Sequence, residues 1–182
     1  MNRNIKRLTR IGVIAGLYVA LTYLTYTFSY MPIQVRVAEA LTVLPFLFPE
    51  AVWGVAIGCF IANIASPFGP IDIILGTSLT LIAALLTRRL ARTKKLYLAP
   101  LPPIIINAFG VALYVTSLAG LLGPKGLTIS KVGTFSYIFT HFELRPYIIG
   151  VIWIAIGEAI ATYALGLPLL YALTKKGEKN EN

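Results

Sequence analysis

The sequence has few charged residues and little else that could face water. Only 13% of its 182 residues are Asp, Glu, Lys or Arg, and 57% are apolar, whereas soluble domains carry roughly 25% charged residues. This composition excludes a soluble globular protein. Two uncharged runs, at residues 11–30 and 98–124, are each long enough to cross a hydrocarbon core, which takes about 20 helical residues.

Several motifs of enzymes and metal proteins are also missing. The chain has one cysteine, Cys59, and one histidine, His141, which excludes a disulfide or a cysteine metal site within the chain. It contains no G-x-x-x-x-G-K-[ST], no H-E-x-x-H and no G-x-S-x-G. We therefore predict that the protein is not an enzyme, binds no metal or cofactor, and does not itself hydrolyse ATP.

The apolar runs predict an all-α integral membrane protein with a bundle of about six transmembrane helices. A single membrane domain covers residues 1–182, with polar cytoplasmic tails at residues 1–7 and 175–182. The predicted spans are residues 8–30, 37–48, 51–66, 71–86, 103–123 and 146–174.

The basic residues determine the expected orientation. With six spans and both termini inside, the outer segments hold only Arg36, Lys125, Lys131 and Arg145, so 12 of the 16 basic residues are cytoplasmic, as the positive-inside rule requires. Merging the second and third spans would place the cluster at residues 88–95 outside. Pro49 therefore marks a cytoplasmic turn. Because the charges orient the protein, nucleic acid is not a predicted partner.

Glu50 follows that turn, near the start of the third helix, where a carboxylate complements the helix dipole. We predict a structural role for it.

Polar side chains within the spans are the candidates for a binding site, because a charged group near the bilayer centre costs roughly 2.5–3.5 kcal/mol. They fall in the outer half of the predicted bundle, where they would form a polar pocket that opens away from the cytoplasm. The candidates are Glu158, Asn107, Glu39, Asp72, Asn63, Arg36 and Tyr114.

Each candidate also has a structural alternative. Asp72 could cap its helix, Asn63 could join two helices, and Arg36 could pair only with Glu39. His141 is consistent with a simple interfacial residue. Glu158, deep in the last span, is the hardest to explain by structure alone.

Small residues recur on the first helix. Gly12, Gly16 and Ala20 stand four residues apart, a spacing that lets another helix approach closely. This face could pack inside the protein or bind a partner protein.

The segment at residues 124–145 is long for a connector, and long loops are often functional or disordered. It contains several aromatic residues, which argues against disorder: Phe135, Tyr137, Phe139 and Phe142.

One element of the sequence is specific enough to indicate a family. Residues 35–45, V-R-V-A-E-A-L-T-V-L-P, resemble the QueT family of queuosine-precursor transporters, the substrate-binding (S) components of energy-coupling-factor (ECF) transporters. The resemblance extends over nearly the whole chain, through residues 54–64, 72–85, 101–107 and 157–170.

This resemblance implies a six-helix S component in a bacterial plasma membrane. Such proteins bind a vitamin-like ligand in an outward pocket and associate with a transmembrane coupling subunit and two cytoplasmic ATPase subunits, which hydrolyse the ATP. The implied ligand is a 7-deazaguanine such as preQ0 or preQ1, or the base queuine. We expect Glu158 and Asn107 to bind the base, with Glu39 or Asp72 near its substituent. Alternatives are another vitamin-like ligand, a stand-alone carrier or a membrane enzyme.

The predicted orientation can be tested with single cysteines at positions 94 and 131 in a Cys59-free background. An impermeant thiol reagent applied to intact cells should label position 131 and not position 94, because position 131 lies outside the cell and position 94 lies in the cytoplasm. Labelling at 94 without labelling at 131 would reverse the topology.

Overall fold

The computed structural model describes residues 2–29, 36–118, 122–123, 126–127 and 138–179. Within these ranges the chain is a bundle of helices, which confirms the predicted helical class. It also contains a two-residue antiparallel ladder between β1 (Leu122–Gly123) and β2 (Gly126–Leu127).

The helices follow the predicted apolar segments. The α-helices are α1 (Arg3–Leu24), α2 (Tyr26–Ser29), α3 (Ala51–Ala62), α4 (Thr77–Leu90), α5 (Leu101–Leu118), α6 (Leu144–Ala159) and α7 (Leu167–Lys179). The 3₁₀ helices are Val37–Phe46, Asn63–Ala65, Ala91–Thr93 and Leu96–Leu98, and the π-helical segments are Asp72–Gly76 and Ile160–Gly166.

Among the described residues, four helical stretches are long and apolar enough to cross a membrane by their length and composition. They are Arg3–Leu24, Asp72–Thr93, Leu96–Leu118 and Leu144–Lys176, and the two further apolar helices, Val37–Phe46 and Ala51–Ala65, are shorter. The short pair corresponds to the second and third predicted spans. Helix α1 begins at Arg3, so the predicted polar tail at residues 1–7 is largely helical.

The second predicted span is a 3₁₀ helix, Val37–Phe46, which has Pro45 inside it. Every residue from Ala38 to Phe46 is buried, as expected for a largely apolar segment. At about 2.0 Å per residue, ten residues of 3₁₀ helix extend about 20 Å, whereas an α-helix of this length would extend about 15 Å. The segment contacts α1, α3, α4, α7 and the π segment Ile160–Gly166, so it is a central element of the bundle.

Helices α1 and α3 pack closely through two glycines of α3. A Cβ on Gly54 would lie 2.8 Å from Ile14 Cβ, and one on Gly58 would lie 2.6 Å from Tyr18 Cβ. The two glycines are four residues apart, which is the small-residue spacing that allows close helix contact in membranes. The internal small-residue interface is thus on α3, and the opposite face of α1 does not contribute to it.

The predicted turn at Pro49 is present, between Phe46 and the start of α3 at Ala51. Glu50 precedes α3, and its Oε1 accepts a hydrogen bond from Arg10 Nη1 at 2.7 Å. Partial burial alone would raise the pKa of Glu50, but a hydrogen bond from its own backbone N–H and the adjacent Arg10 guanidinium together lower that pKa. Glu50 therefore links α1 to the start of α3, in keeping with the structural role predicted for it.

In the part of the chain that the structure describes, two π-helical segments interrupt the long membrane helices. The first, Asp72–Gly76, leads directly into α4, and the second, Ile160–Gly166, separates α6 from α7. A Cβ on Gly166 would lie 2.8 Å from the backbone oxygen of Ala40, so the second turn lies directly against the 3₁₀ helix Val37–Phe46. Single π turns in membrane or soluble helices are frequent at functional sites.

Most of the predicted aromatic loop, including Phe135 and Tyr137, lies outside the described residues. At its end, the rings of Phe142 and Tyr147 pack with centroids 5.2 Å apart at the start of α6. His141 is exposed, with its Nδ1 2.9 Å from Thr140 Oγ1.

The α1–α3 contact predicts opposite effects for two glycine-to-alanine changes. Gly58→Ala should lower stability by about 1–3 kcal/mol, because the new methyl group overpacks the contact with Tyr18. Gly12→Ala, where a Cβ would meet nothing within 4 Å, should be neutral or slightly stabilising, because alanine favours a helix over glycine. Thermal unfolding of both variants in detergent measures this, and equal midpoints would refute the close packing.

Candidate functional site

A small polar cavity lies between the 3₁₀ helix Val37–Phe46 and the helices α4, α5 and α6. It measures about 20 Å³, which is room for about one water molecule. Its lining includes every candidate from the sequence except Asn63, and adds three residues that the sequence reasoning did not select. The lining residues are Arg36, Glu39, Asp72, Gly76, Thr80, Asn107, Val111, Tyr114 and Glu158.

The cavity lies far from the end of the bundle where Arg10, Glu50 and Arg88 gather. At that end, Arg88 Nη1 contacts the backbone oxygen of Phe46 at 3.5 Å. Asp72 precedes Arg88 by 16 residues along one helical stretch, which corresponds to about 24 Å at 1.5 Å per residue. The cavity residues therefore occupy the half of the bundle opposite the end that holds Arg10, Glu50 and Arg88.

Asp72 is held on both of its carboxylate oxygens. The hydroxyl of Tyr114 donates to Oδ1, and Nη2 of Arg36 lies 3.8 Å from Oδ2. These contacts run across the bundle, and Asp72 does not cap its own helix. Of the alternatives considered for Arg36, exclusive pairing with Glu39 is wrong, because Arg36 reaches across to the start of the π turn.

Asn63 supports this arrangement from outside the cavity. Its Nδ2 donates to the backbone oxygen of Asp72 at 2.9 Å and approaches Cys59 Sγ at 3.3 Å. Cys59 Sγ in turn lies 3.3 Å from Thr80 Oγ1. Asn63 thus ties the end of α3 to the start of the α4 stretch, as the structural alternative for this residue anticipated.

Glu158 and Asn107 form the second polar pair, from α6 and α5. Asn107 Nδ2 donates to Glu158 Oε1 at 2.8 Å, and the two residues are 4% and 5% exposed, respectively. Glu158 stands two residues before the π segment Ile160–Gly166. The two residues expected to act together on a ligand are therefore direct neighbours.

Glu39 is bound by a residue that the sequence reasoning missed. The hydroxyl of Tyr18, on α1, donates to Glu39 Oε1, and both side chains are almost fully buried. Tyr18 lies on the same face of α1 as Ile14, Ala15 and Thr22. A tyrosine hydroxyl on that mostly apolar face was the signal that could have identified it.

The sequence reasoning also missed Gly76, whose role is that its position has no space for a side chain. A Cβ at this position would lie 2.5 Å from Asp72 Oδ1 and 2.9 Å from Asn63 Nδ2. Only glycine lets these polar groups gather around the turn, and a glycine one turn after an acidic residue was the available signal.

Several buried polar atoms at the site have no hydrogen-bond partner among the described residues. They include Glu39 Oε2, Glu158 Oε2 and Asn107 Oδ1, together with Asn63 Oδ1 and Thr77 Oγ1. A buried polar atom without a partner costs about 1–3 kcal/mol, and more if it is charged. Native proteins rarely leave such atoms unpaired without a reason, so three unpaired oxygens on cavity-lining residues indicate a binding site for a donor-rich ligand.

The face of α1 predicted as a possible partner interface is separate from the cavity. Gly12, Gly16 and Ala20 are exposed, and a Cβ on either glycine would meet nothing within 4 Å. Among the described residues, nothing packs closely on these two glycines, so internal packing does not explain the small-residue spacing.

Comparison with known protein families gives a match to this chain. The family model of the QueT transporter matches residues 8–175, nearly the whole chain, and the match agrees with the resemblance found in the sequence. No curated protein and no solved structure matches the chain. With a helical membrane bundle, a buried polar cavity and a family model that spans almost its full length, the protein belongs to the QueT transporter family.

Proposed function

We propose that the protein is the substrate-binding S component of an ECF-type importer that takes up a queuosine precursor. The ligand would be a 7-deazaguanine such as preQ0 or preQ1, or queuine. The observation that carries the proposal is the cavity itself, in which Glu158 and Asn107 present unpaired oxygens beside each other. The match to the QueT transporter family supports the same conclusion.

The chemistry of a deazaguanine suits this pair. Its N1–H and exocyclic amine lie side by side, and one carboxylate can accept both hydrogen bonds, which are strong because they are charge-assisted. An asparagine amide offers one acceptor oxygen and two N–H donors, so Asn107 can hold Glu158 and also meet the carbonyl edge of the base. Glu158 and Asn107 are therefore assigned to the base, and Glu39 or Asp72 to its substituent.

Binding requires the cavity to enlarge. Its volume of about 20 Å³ is far below the roughly 300–1,000 Å³ of typical ligand pockets, so a bicyclic base enters only after helices or side chains move apart. Opening of the cavity would expose the buried carboxylates to water, and closure would bury them again in contact with the ligand.

In the proposed topology six segments cross the membrane, with both termini in the cytoplasm. The two short apolar helices, Val37–Phe46 and Ala51–Ala65, would be the second and third of these six segments, and the longer helices would pack beside them. Support comes from Arg10, Glu50 and Arg88, which lie at the end of the bundle assigned to the cytoplasm by the basic residues.

The exposed small-residue face of α1 is the proposed docking surface for the transmembrane coupling subunit. Gly12, Gly16 and Ala20 leave a shallow strip along the helix, which suits close contact with a helix of another protein. Two cytoplasmic ATPase subunits would complete the transporter in a bacterial plasma membrane.

The base-binding role of Glu158 predicts a loss of affinity in Glu158→Gln. The amide keeps the shape of the side chain but turns one acceptor into a donor, which opposes the donor edge of the base at a cost of about 1–3 kcal/mol. The affinity for a 7-deazaguanine should therefore fall about ten- to a hundredfold in calorimetric titration. Glu143→Gln, which alters an exposed acid at the start of α6, should change nothing. Wild-type affinity in a well-folded Glu158→Gln protein would remove Glu158 from the site.

The docking role of α1 predicts that bulk on its small-residue face weakens assembly. Gly16→Leu and Ala20→Leu should reduce co-purification with the coupling subunit while ligand binding stays intact, because neither residue lines the cavity. Ala164→Leu adds the same bulk to an exposed alanine of the Ile160–Gly166 segment and serves as the control. If both α1 variants co-purify normally, this face contacts lipid.

A further inference from the structure

The cavity lining carries more acids than bases. Among the described residues that line it are the carboxylates of Glu39, Asp72 and Glu158 and one guanidinium, that of Arg36. Arg36 lies against Asp72, with Nη2 3.8 Å from Oδ2. Among the described residues, neither Glu39 nor Glu158 has a basic side chain within ion-pair distance.

Both of these acids keep one buried oxygen without a partner. Tyr18 donates to one oxygen of Glu39 and Asn107 to one oxygen of Glu158, and both donors are neutral. Oε2 of each glutamate has no hydrogen-bond partner among the described residues, and the two residues are only 1% and 5% exposed. Burying a charged carboxylate is costly unless it is paired and hydrogen-bonded, so a ligand donor at each of these oxygens would stabilise the ionised acids.

A neutral base can donate hydrogen bonds to only one of these two glutamates. The N1–H and exocyclic amine of a deazaguanine share one edge, whereas its 7-substituent projects from a different edge. One glutamate can therefore bind the base edge, and the other must meet the substituent. A substituent without a charge or an N–H donor would leave the second glutamate buried and unpaired.

We infer that the ligand carries a protonated amine on its substituent and that Glu39 is the counter-ion of that amine. The inference rests on the proposed function and specifies which kind of deazaguanine the site selects. Asp72 is not the counter-ion, because Tyr114 and Arg36 already hold its two oxygens. Glu158 is assigned to the base because Asn107, beside it, offers a further unpaired oxygen.

The consequence is selectivity between two precursors of similar size. A 7-aminomethyl group is a cation that donates hydrogen bonds to Glu39, and such charge-assisted bonds are the strong ones. A 7-cyano group has no donor and directs a nitrogen lone pair at the carboxylate. The site therefore favours the aminomethyl ligand, and the difference depends on Glu39.

Calorimetric titration of the purified protein with 7-aminomethyl-7-deazaguanine and with 7-cyano-7-deazaguanine tests this selectivity. The wild-type protein should bind the aminomethyl compound more tightly by about tenfold or more. Glu39→Gln should weaken binding of the aminomethyl compound by about ten- to a hundredfold and leave binding of the cyano compound nearly unchanged. Glu143→Gln, at an exposed position, should affect neither ligand.

Two outcomes overturn the inference and leave the proposed function standing. They are equal or reversed wild-type affinities for the two compounds, and a Glu39→Gln variant that loses affinity for both by the same factor. A folded wild-type protein that binds neither compound would overturn the inference, and if it also fails to bind queuine it would overturn the proposed function as well. If Glu39→Gln does not fold, the wild-type ratio decides alone, since it needs no variant.

Discussion

The burial of three carboxylates inside an apolar bundle is the constraint on which the arrangement of this protein depends. Each acid comes from a different segment, and each is held by a donor from another helix: Tyr18 for Glu39, Tyr114 for Asp72 and Asn107 for Glu158. Because an unpaired buried carboxylate is costly, these donors fix how the segments pack against one another. The polar pairs therefore orient the bundle as well as form the site.

The irregular helices have a common relation to this site. Asp72 begins one π turn and Glu158 stands just before the other, while Glu39 lies on the 3₁₀ helix Val37–Phe46. A regular α-helix fixes side-chain directions by its 3.6-residue repeat, and local changes in that repeat redirect them. The departures from α-helix thus occur where carboxylates must turn inward, and Gly76 and Gly166 provide the space for the close contacts beside them.

Helix α1 connects the site to the surface of the protein. One face packs on the glycines of α3 and donates the Tyr18 hydroxyl to Glu39, and the opposite face exposes Gly12 and Gly16. In the proposed transporter, the same helix would contact the coupling subunit and hold a ligand-binding acid. A shift of α1 would then change both the ligand-binding cavity and the surface that contacts the coupling subunit. This is a physical route that couples ligand binding to assembly.

The sequence by itself determined the helical membrane class, the apolar segments, the turn at Pro49 and the family. These follow from composition, from the lengths of uncharged runs and from a local motif, none of which depends on distant contacts. It also identified the acids and the amide of the cavity, because polar groups in apolar helices are conspicuous. Only the tertiary structure decided which groups pair, since Arg36 with Asp72 and Tyr18 with Glu39 join residues from separate segments. The sequence also could not predict the roles of the glycines. Gly58 packs against another helix and Gly12 does not, because what a glycine contacts depends on its neighbours in the fold and not on its spacing along the chain.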